Sequence, residues 1–167
     1  MFKLLVIDCD GVMTDGTKLY DNTGKCVAKA FCDLDFTAIK KFQRIMPVCF
    51  LSGDKNINEN MAKERQVDFF YSDGYNKHIE IGSLSIHYEI PLKDIAYIGD
   101  DYYDIPTLKK VGYPFCPQNS PICVKSVASI IPQIGGHGVI SVLYDTWMRS
   151  ELIPIDIDIS NKAFQNI

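Results

Sequence analysis

Asp8-Cys9-Asp10-Gly11 follows directly on the apolar run Leu4-Leu5-Val6-Ile7. Two carboxylates at the end of a buried strand, where the chain turns on a glycine, suit a particular division of labour. One carboxylate can attack, the other can move protons, and both can face a hard divalent cation. The same residues leave two other chemistries to weigh. An EF-hand calcium loop wants a glutamate at its twelfth position, which is Leu19 here, and a helix before it. A catalytic thiol at Cys9 wants a base. Strand alternation would turn Cys9 away from Asp8 and Asp10, and no histidine lies near it in sequence.

Three further places carry matching groups. The apolar run 48–51 ends in Ser52-Gly53, Asn76-Lys77 opens a helical stretch, and the run 95–99 ends in Gly99-Asp100-Asp101 with Asp104 one turn on. Read physically, these make a phosphate site. Ser52 and the Gly53 amide can donate to phosphate oxygens, and Lys77 brings a positive charge. Asp8 and Asp100 suit Mg2+, a cation that prefers carboxylate oxygens and water. Asp8 can then attack phosphorus to form an aspartyl phosphate, while Asp10 protonates the leaving alcohol and afterwards activates water. Each residue also has a plainer reading. Ser52 or Asp54 can cap a helix, Lys77 can be a solvated lysine, and Asp101 and Asp104 can be acids favoured in a first helical turn.

The elements that must position these groups alternate. Strand-like runs at 3–8, 48–51, 68–71, 95–99, 113–116 and 128–131 are separated by helical stretches at about 34–45, 57–66, 77–89, 102–111 and 138–149. The strand runs are continuously apolar rather than alternating, as in strands covered on both faces. The expected fold is α/β, a doubly wound parallel sheet, with ligands bound beyond the carboxyl ends of the strands. One segment breaks the alternation. Residues 18–20 and 26–31 flank Asp21-Asn22-Thr23-Gly24, which predicts a β-hairpin insertion over about 17–31 after the first strand. Only 43 residues separate Asp8 from Ser52 and only 24 separate Ser52 from Lys77, so neither gap holds a cap domain. Residues 1–150 read as one domain. Residues 151–167 form a C-terminal tail with the alternating pattern L-I-P-I-D-I-D-I, either partly ordered or an arm docking on a neighbouring subunit.

Composition narrows the class. A chain of 167 residues is long enough for one real core, and a net charge of −4 argues against a nucleic-acid partner. No apolar run reaches the length of a membrane span, and the N-terminus turns acidic too early for a signal peptide. The six cysteines form no C-x-x-C pair and read as reduced thiols of a cytoplasmic protein. His78 and His87 read as surface residues, and His137 lies in a glycine-rich turn from which it would approach a neighbouring subunit's site.

Asp8–x–Asp10–Gly11, Ser52, Lys77 and Gly99-Asp100-Asp101-x-x-Asp104 resemble, in order, the four motifs of the haloacid dehalogenase superfamily. The resemblance implies Asp8 as nucleophile, Asp10 as acid/base, and Ser52, Gly53 and Lys77 as phosphate binders. It implies a Mg2+ held by Asp8, Asp100 and the backbone carbonyl of Asp10, with Asp101 and Asp104 orienting the metal waters and Lys77. A nearer resemblance covers about residues 2–148 and rests on residues 8–16, Ala30-Phe31, residues 97–101 and Gly135-Gly136-His137-Gly138. These are similar to the capless sugar-acid phosphatases, which act on 3-deoxy-manno-octulosonate 8-phosphate or on 9-phosphates of nine-carbon keto sugar acids. That likeness implies a homotetramer in which hairpins pack together and a neighbour covers each site. Asp54 stands where the octulosonate enzymes carry arginine. An acid there suits hydroxyls or an amine and tilts the expectation to a nine-carbon substrate. Phe36 and Ser141-Val142 also depart from the pattern and suggest altered substrate contacts. Two rival readings are a catalytically weak or inactive relative kept for assembly or binding, and a phosphomutase, which needs a mobile cap.

Overall fold

The computed structural model describes residues 1–150; the tail expectation lies outside them. Six parallel strands form one sheet in the order β5-β4-β1-β6-β7-β8. They are β1 (Leu4–Ile7), β4 (Val48–Ser52), β5 (Asp68–Tyr71), β6 (Ile95–Ile98), β7 (Tyr113–Pro117) and β8 (Ser129–Ile131). The run Leu-Leu-Val-Ile takes the centre because both of its faces must be buried. β1 pairs with β4 on one side and with β6 on the other, and all four of its residues are inaccessible to solvent.

Alternation along β1 builds two apolar layers. Leu5 and Ile7 pack with Phe36, Ile39 and Phe42 of α1 (Asp33–Phe42), Ala62 of α2 (Ile57–Arg65) and Val139, Ile140 and Leu143 of α6 (Val139–Ser150). Leu4 and Val6 pack with Ile81 and Leu84 of α3 (Lys77–His87), Leu108 of α4 (Ile105–Leu108) and Val124 of α5 (Ile122–Lys125). Connections from β1 run outward to β4 and β5, then return across the sheet to β6, β7 and β8. The chain therefore reverses its direction of winding between β1 and β6, where doubly wound sheets open a crevice.

The insertion after β1 is a short hairpin of β2 (Leu19–Tyr20) and β3 (Cys26–Ala28). Its turn is held by Asp21, whose carboxylate accepts from the amides of Thr23 and Lys25 at 2.8 and 3.0 Å. Leu19, Tyr20 and Val27 leave it exposed. No cap domain occurs among the described residues, and no helix of theirs is long and apolar enough to cross a membrane.

One element differs from its expected form, and another was not expected. The helix expected over 102–111 is a single tight turn, Tyr102–Asp104, followed by the four-residue α4, with Pro106 in its first turn. α5 has only four residues, too few to show a helical period in the sequence.

Candidate active site

Asp8 is the first residue beyond β1, and its amide still bonds to the Ile98 carbonyl at 3.0 Å. The chain then makes one wide turn, closed by the Thr14 amide on the Cys9 carbonyl at 3.1 Å. Cys9 lies in this turn and not in a strand, as the alternation argument assumed. Gly11 takes φ +84° there, and a Cβ on it would stand 2.0 Å from the Asp100 carboxylate. A side chain is therefore excluded both by conformation and by the neighbouring acid. The glycine-rich turn before α6 docks on the same loop through the Gly136 amide and the Val12 carbonyl, 2.9 Å apart. The result is a cleft of about 520 Å³ beyond the ends of β1, β4 and β6, which gathers Asp8, Asp10, Ser52, Gly53, Asp54, Lys77, Asp100 and Asp101.

Lys77 is buried and not a solvated lysine. Its ammonium bonds Asp8 at 2.6 Å and Asp104 at 2.8 Å. Asp104, fully buried, is saturated. One oxygen takes Lys77 and the Tyr97 hydroxyl, at 2.8 and 2.6 Å, and the other takes the amides of Asp100 and Asp101, both at 3.0 Å. Its carboxylate thus positions Lys77 and shapes the loop that presents Asp100. Asp101 caps that turn through the Tyr102 amide and lies exposed.

The charges do not balance. Asp8, Asp100 and Asp104 bring carboxylate oxygens within 4.8 Å of one another, with one ammonium among them. Burial pushes Asp8 up to about 7 against the pull of Lys77, and Asp104 adds to the push. Burial, then Asp8 and Asp104, push Asp100 up to about 8. Burial opposes the charge on Lys77, but Asp8 and Asp104 outweigh it and hold the ammonium above its ordinary range. Asp100 Oδ1 is buried with no hydrogen bond to another described residue. Three carboxylates, one ammonium and one unused buried oxygen fit a divalent cation between Asp8 and Asp100. Asp104 is a poor ligand despite its proximity, because each of its oxygens already accepts two hydrogen bonds, whereas each Asp8 oxygen accepts one.

Asp10 faces a different set of partners. Its two oxygens lie 2.8 and 2.9 Å from the Lys29 ammonium, which also meets Asp54 at 2.7 Å and Asn58 at 3.1 Å. Lys18 pairs with Asp54 at 2.8 Å. Asn58 donates to Asp10 at 3.3 Å and to the Ser52 hydroxyl at 3.1 Å. Neither Ser52 nor Asp54 caps α2, whose flanking residue is Asn56. Lys18, Lys29 and Asn58 were not singled out from the sequence. The only signal was that the two lysines lie on opposite arms of the predicted hairpin, and a hairpin brings its arms together.

Other expectations fall outside the cleft. Phe36 is a core residue of α1, packed under Arg65. Ser141 donates its amide to Asp35, which binds the first turn of α6. His137 is exposed and bonds the Gly135 carbonyl at 2.8 Å. Burial, then Asp8 and Asp10, push the Cys9 thiol well above its ordinary value, which disfavours a reactive thiolate. Tyr103 stands at the rim, edge-on to Tyr75 with ring centroids 4.9 Å apart.

The sequence pattern of haloacid dehalogenase-like hydrolases matches residues 52–143. The chain is 29% identical over 152 residues to a 3-deoxy-D-manno-octulosonate 8-phosphate phosphatase of Haemophilus influenzae, covering 89% of this chain and 84% of the relative. It is 27% identical to the enzyme of that name from Escherichia coli, over 89% of this chain and 80% of the relative. The solved cobalt-bound form of the Haemophilus influenzae deoxy-D-mannose-octulosonate 8-phosphate phosphatase superposes with a TM-score of 0.83 at 28% identity, over 90% of this chain and 89% of that one.

Proposed function

The chain belongs to the haloacid dehalogenase-like hydrolases, and on that premise we propose that it is a Mg2+-dependent phosphomonoesterase acting on a keto-deoxy sugar acid phosphate. The observation that carries the reading is the pairing pattern in the cleft. Asp8 is held by Lys77 beside Asp100, while Asp10 is held separately by the hairpin. The two carboxylates are thereby set up for different work.

Asp8 is the nucleophile. Its oxygen forms a bond to phosphorus as the bond to the leaving oxygen breaks. Asp10 gives its proton to that oxygen, then takes one from the water that cleaves the aspartyl phosphate. Ser52, the Gly53 amide and Lys77 bind the phosphate oxygens. Asp8, Asp100 and the Asp10 carbonyl would hold Mg2+, which when bound neutralises phosphate charge. Asp104 and Asp101 keep Lys77 and the Asp100 loop in place.

The substrate assignment follows the relatives. Asp54 is engaged by Lys18 and Lys29, so an acid free to meet substrate hydroxyls no longer argues for nine carbons. Octulosonate 8-phosphate, the substrate in the names of the relatives, comes first, and a nine-carbon 9-phosphate is the second reading. Residues 1–150 form the catalytic unit. The exposed Leu19, Tyr20 and Val27 favour packing of hairpins in a homotetramer.

Phosphate release from p-nitrophenyl phosphate and from a panel of sugar-acid phosphates, with Mg2+ or with EDTA, tests this. Asp8→Asn should abolish turnover. Activity that survives EDTA or Asp8→Asn would refute the mechanism, and silence on every phosphate would favour the non-catalytic rival.

A further inference from the structure

Lys29 is the least expected charge in the protein. Its side chain is 1% exposed although it belongs to a surface hairpin. A buried ammonium is costly unless acids and hydrogen bonds satisfy it. Here three groups meet its three N–H bonds, namely the carboxylates of Asp10 and Asp54 and the Asn58 amide oxygen, at 2.7–3.1 Å. Asn58 closes the ring by donating back to Asp10 and across to Ser52. A link that only anchored the hairpin would not need to converge on Asp10, whose carboxylate lines the reaction cleft.

We propose that Lys29 is a positioning residue for proton transfer to the leaving group: its buried ammonium holds the Asp10 carboxyl in one orientation and stabilises the negative charge left there as the proton departs. The proposal rests on the phosphatase reading given above. In the first step the Asp8–phosphorus bond forms, the phosphorus–leaving-oxygen bond breaks, and the Asp10 proton moves to that oxygen. Charge appears on Asp10 in this step, beside a cation that needs no reorganisation to meet it. Lys77 serves Asp8 in parallel, so each carboxylate has its own ammonium.

The test exploits the leaving group. p-Nitrophenolate departs without a proton, whereas a sugar alkoxide needs one. kcat/KM counts only steps through departure of the leaving group. Lys29→Met should therefore lower kcat/KM for a sugar-acid or simple alkyl phosphate by ~10²-fold or more, and for p-nitrophenyl phosphate by less than ~5-fold. Lys29→Arg, which keeps the cation, should recover part of the alkyl ester rate. Because Lys29→Met leaves two carboxylates without their ammonium, Lys29→Gln provides a second variant of smaller disturbance. Circular dichroism checks the fold of each, and the same split between esters is expected. An equal fall on both esters, or no fall on either, overturns the positioning role in favour of simple anchoring. A wild type inactive on both esters with Mg2+ refutes the phosphatase reading and this proposal with it.

Discussion

Asp104→Asn exchanges one atom of a fully buried side chain and should be among the most damaging conservative substitutions in the protein. The native carboxylate accepts four hydrogen bonds, from Lys77, Tyr97 and the amides of Asp100 and Asp101. Asparagine has one acceptor and one donor end. With its oxygen toward Lys77 and Tyr97, its amino group faces two backbone amides, donor against donor. Each buried group left unsatisfied costs about 1–3 kcal/mol, so the two amides together cost roughly 2–6 kcal/mol. Removing a negative charge also relieves the crowding on Asp8 and Asp100, to which Asp104 contributes. At pH 6 that relief is small, because both acids are pushed above that pH, to about 7 and about 8. The lost bonds therefore win, with a net loss near ~4 kcal/mol of the ~5–15 kcal/mol that domains possess. For a chain of this size that is a fall in Tm of roughly 10 °C. Scanning calorimetry at pH 6 without divalent cations reads it directly. Tyr97→Phe removes one donor only and should cost about 1 kcal/mol. A Tm for Asp104→Asn within about 2 °C of wild type would show that Asp104 does not hold the loop, and the account of Lys77 positioning would fail with it.

The crowded acids also predict a pH dependence. Asp8 and Asp100 have folded values raised from 3.8 to about 7 and about 8. Above the unfolded value the folded state binds more protons, so their contribution to stability is full below pH ~4 and is lost as pH rises through 7 and 8. Burial raises Asp35 as well, in the same direction. The metal-free protein should melt several degrees higher at pH 5.5 than at pH 8.5, and saturating Mg2+ should shrink the difference; a flat or rising profile contradicts the charge reading. Asp35→Ala should cost about 1–3 kcal/mol, because Asp35 accepts the Ile140 and Ser141 amides at the start of α6. Asp35→Asn, which keeps an acceptor, should cost clearly less by urea unfolding. Gly11→Ala should abolish Mg2+ stabilisation in a thermal-shift titration, since its Cβ would meet the Asp100 carboxylate at 2.0 Å; an unchanged response would remove Asp100 from the cation site.

Much of the sheet was legible because its signal is local. Continuous apolar runs such as 4–7 and 95–98 need no partner information to read as buried strands. Asp8, Ser52, Lys77 and Asp100 were legible for a related reason. Each sits at a strand end or helix start, and in a parallel sheet those ends converge on one edge whatever the exact packing. The tight turn at 102–104 and the four-residue α5 were less so, because they are too short to show a period.

The sequence by itself thus determined which carboxylates, which hydroxyl and which lysine stand together around Asp8-Cys9-Asp10-Gly11, since each lies at a strand end or helix start and those ends share one edge of a parallel sheet. Tertiary structure alone decided how the charges are shared. Lys77 lies 69 positions from Asp8 and Lys29 lies 19 from Asp10. No spacing rule says that the first ammonium is consumed by Asp8 and Asp104 while the second is drawn under a hairpin onto Asp10, Asp54 and Asn58. Pair energies in a buried cleft depend on ångström distances and on the loss of water. Those quantities exist only once the chain has folded, and they give Asp8 and Asp10 different ammonium partners.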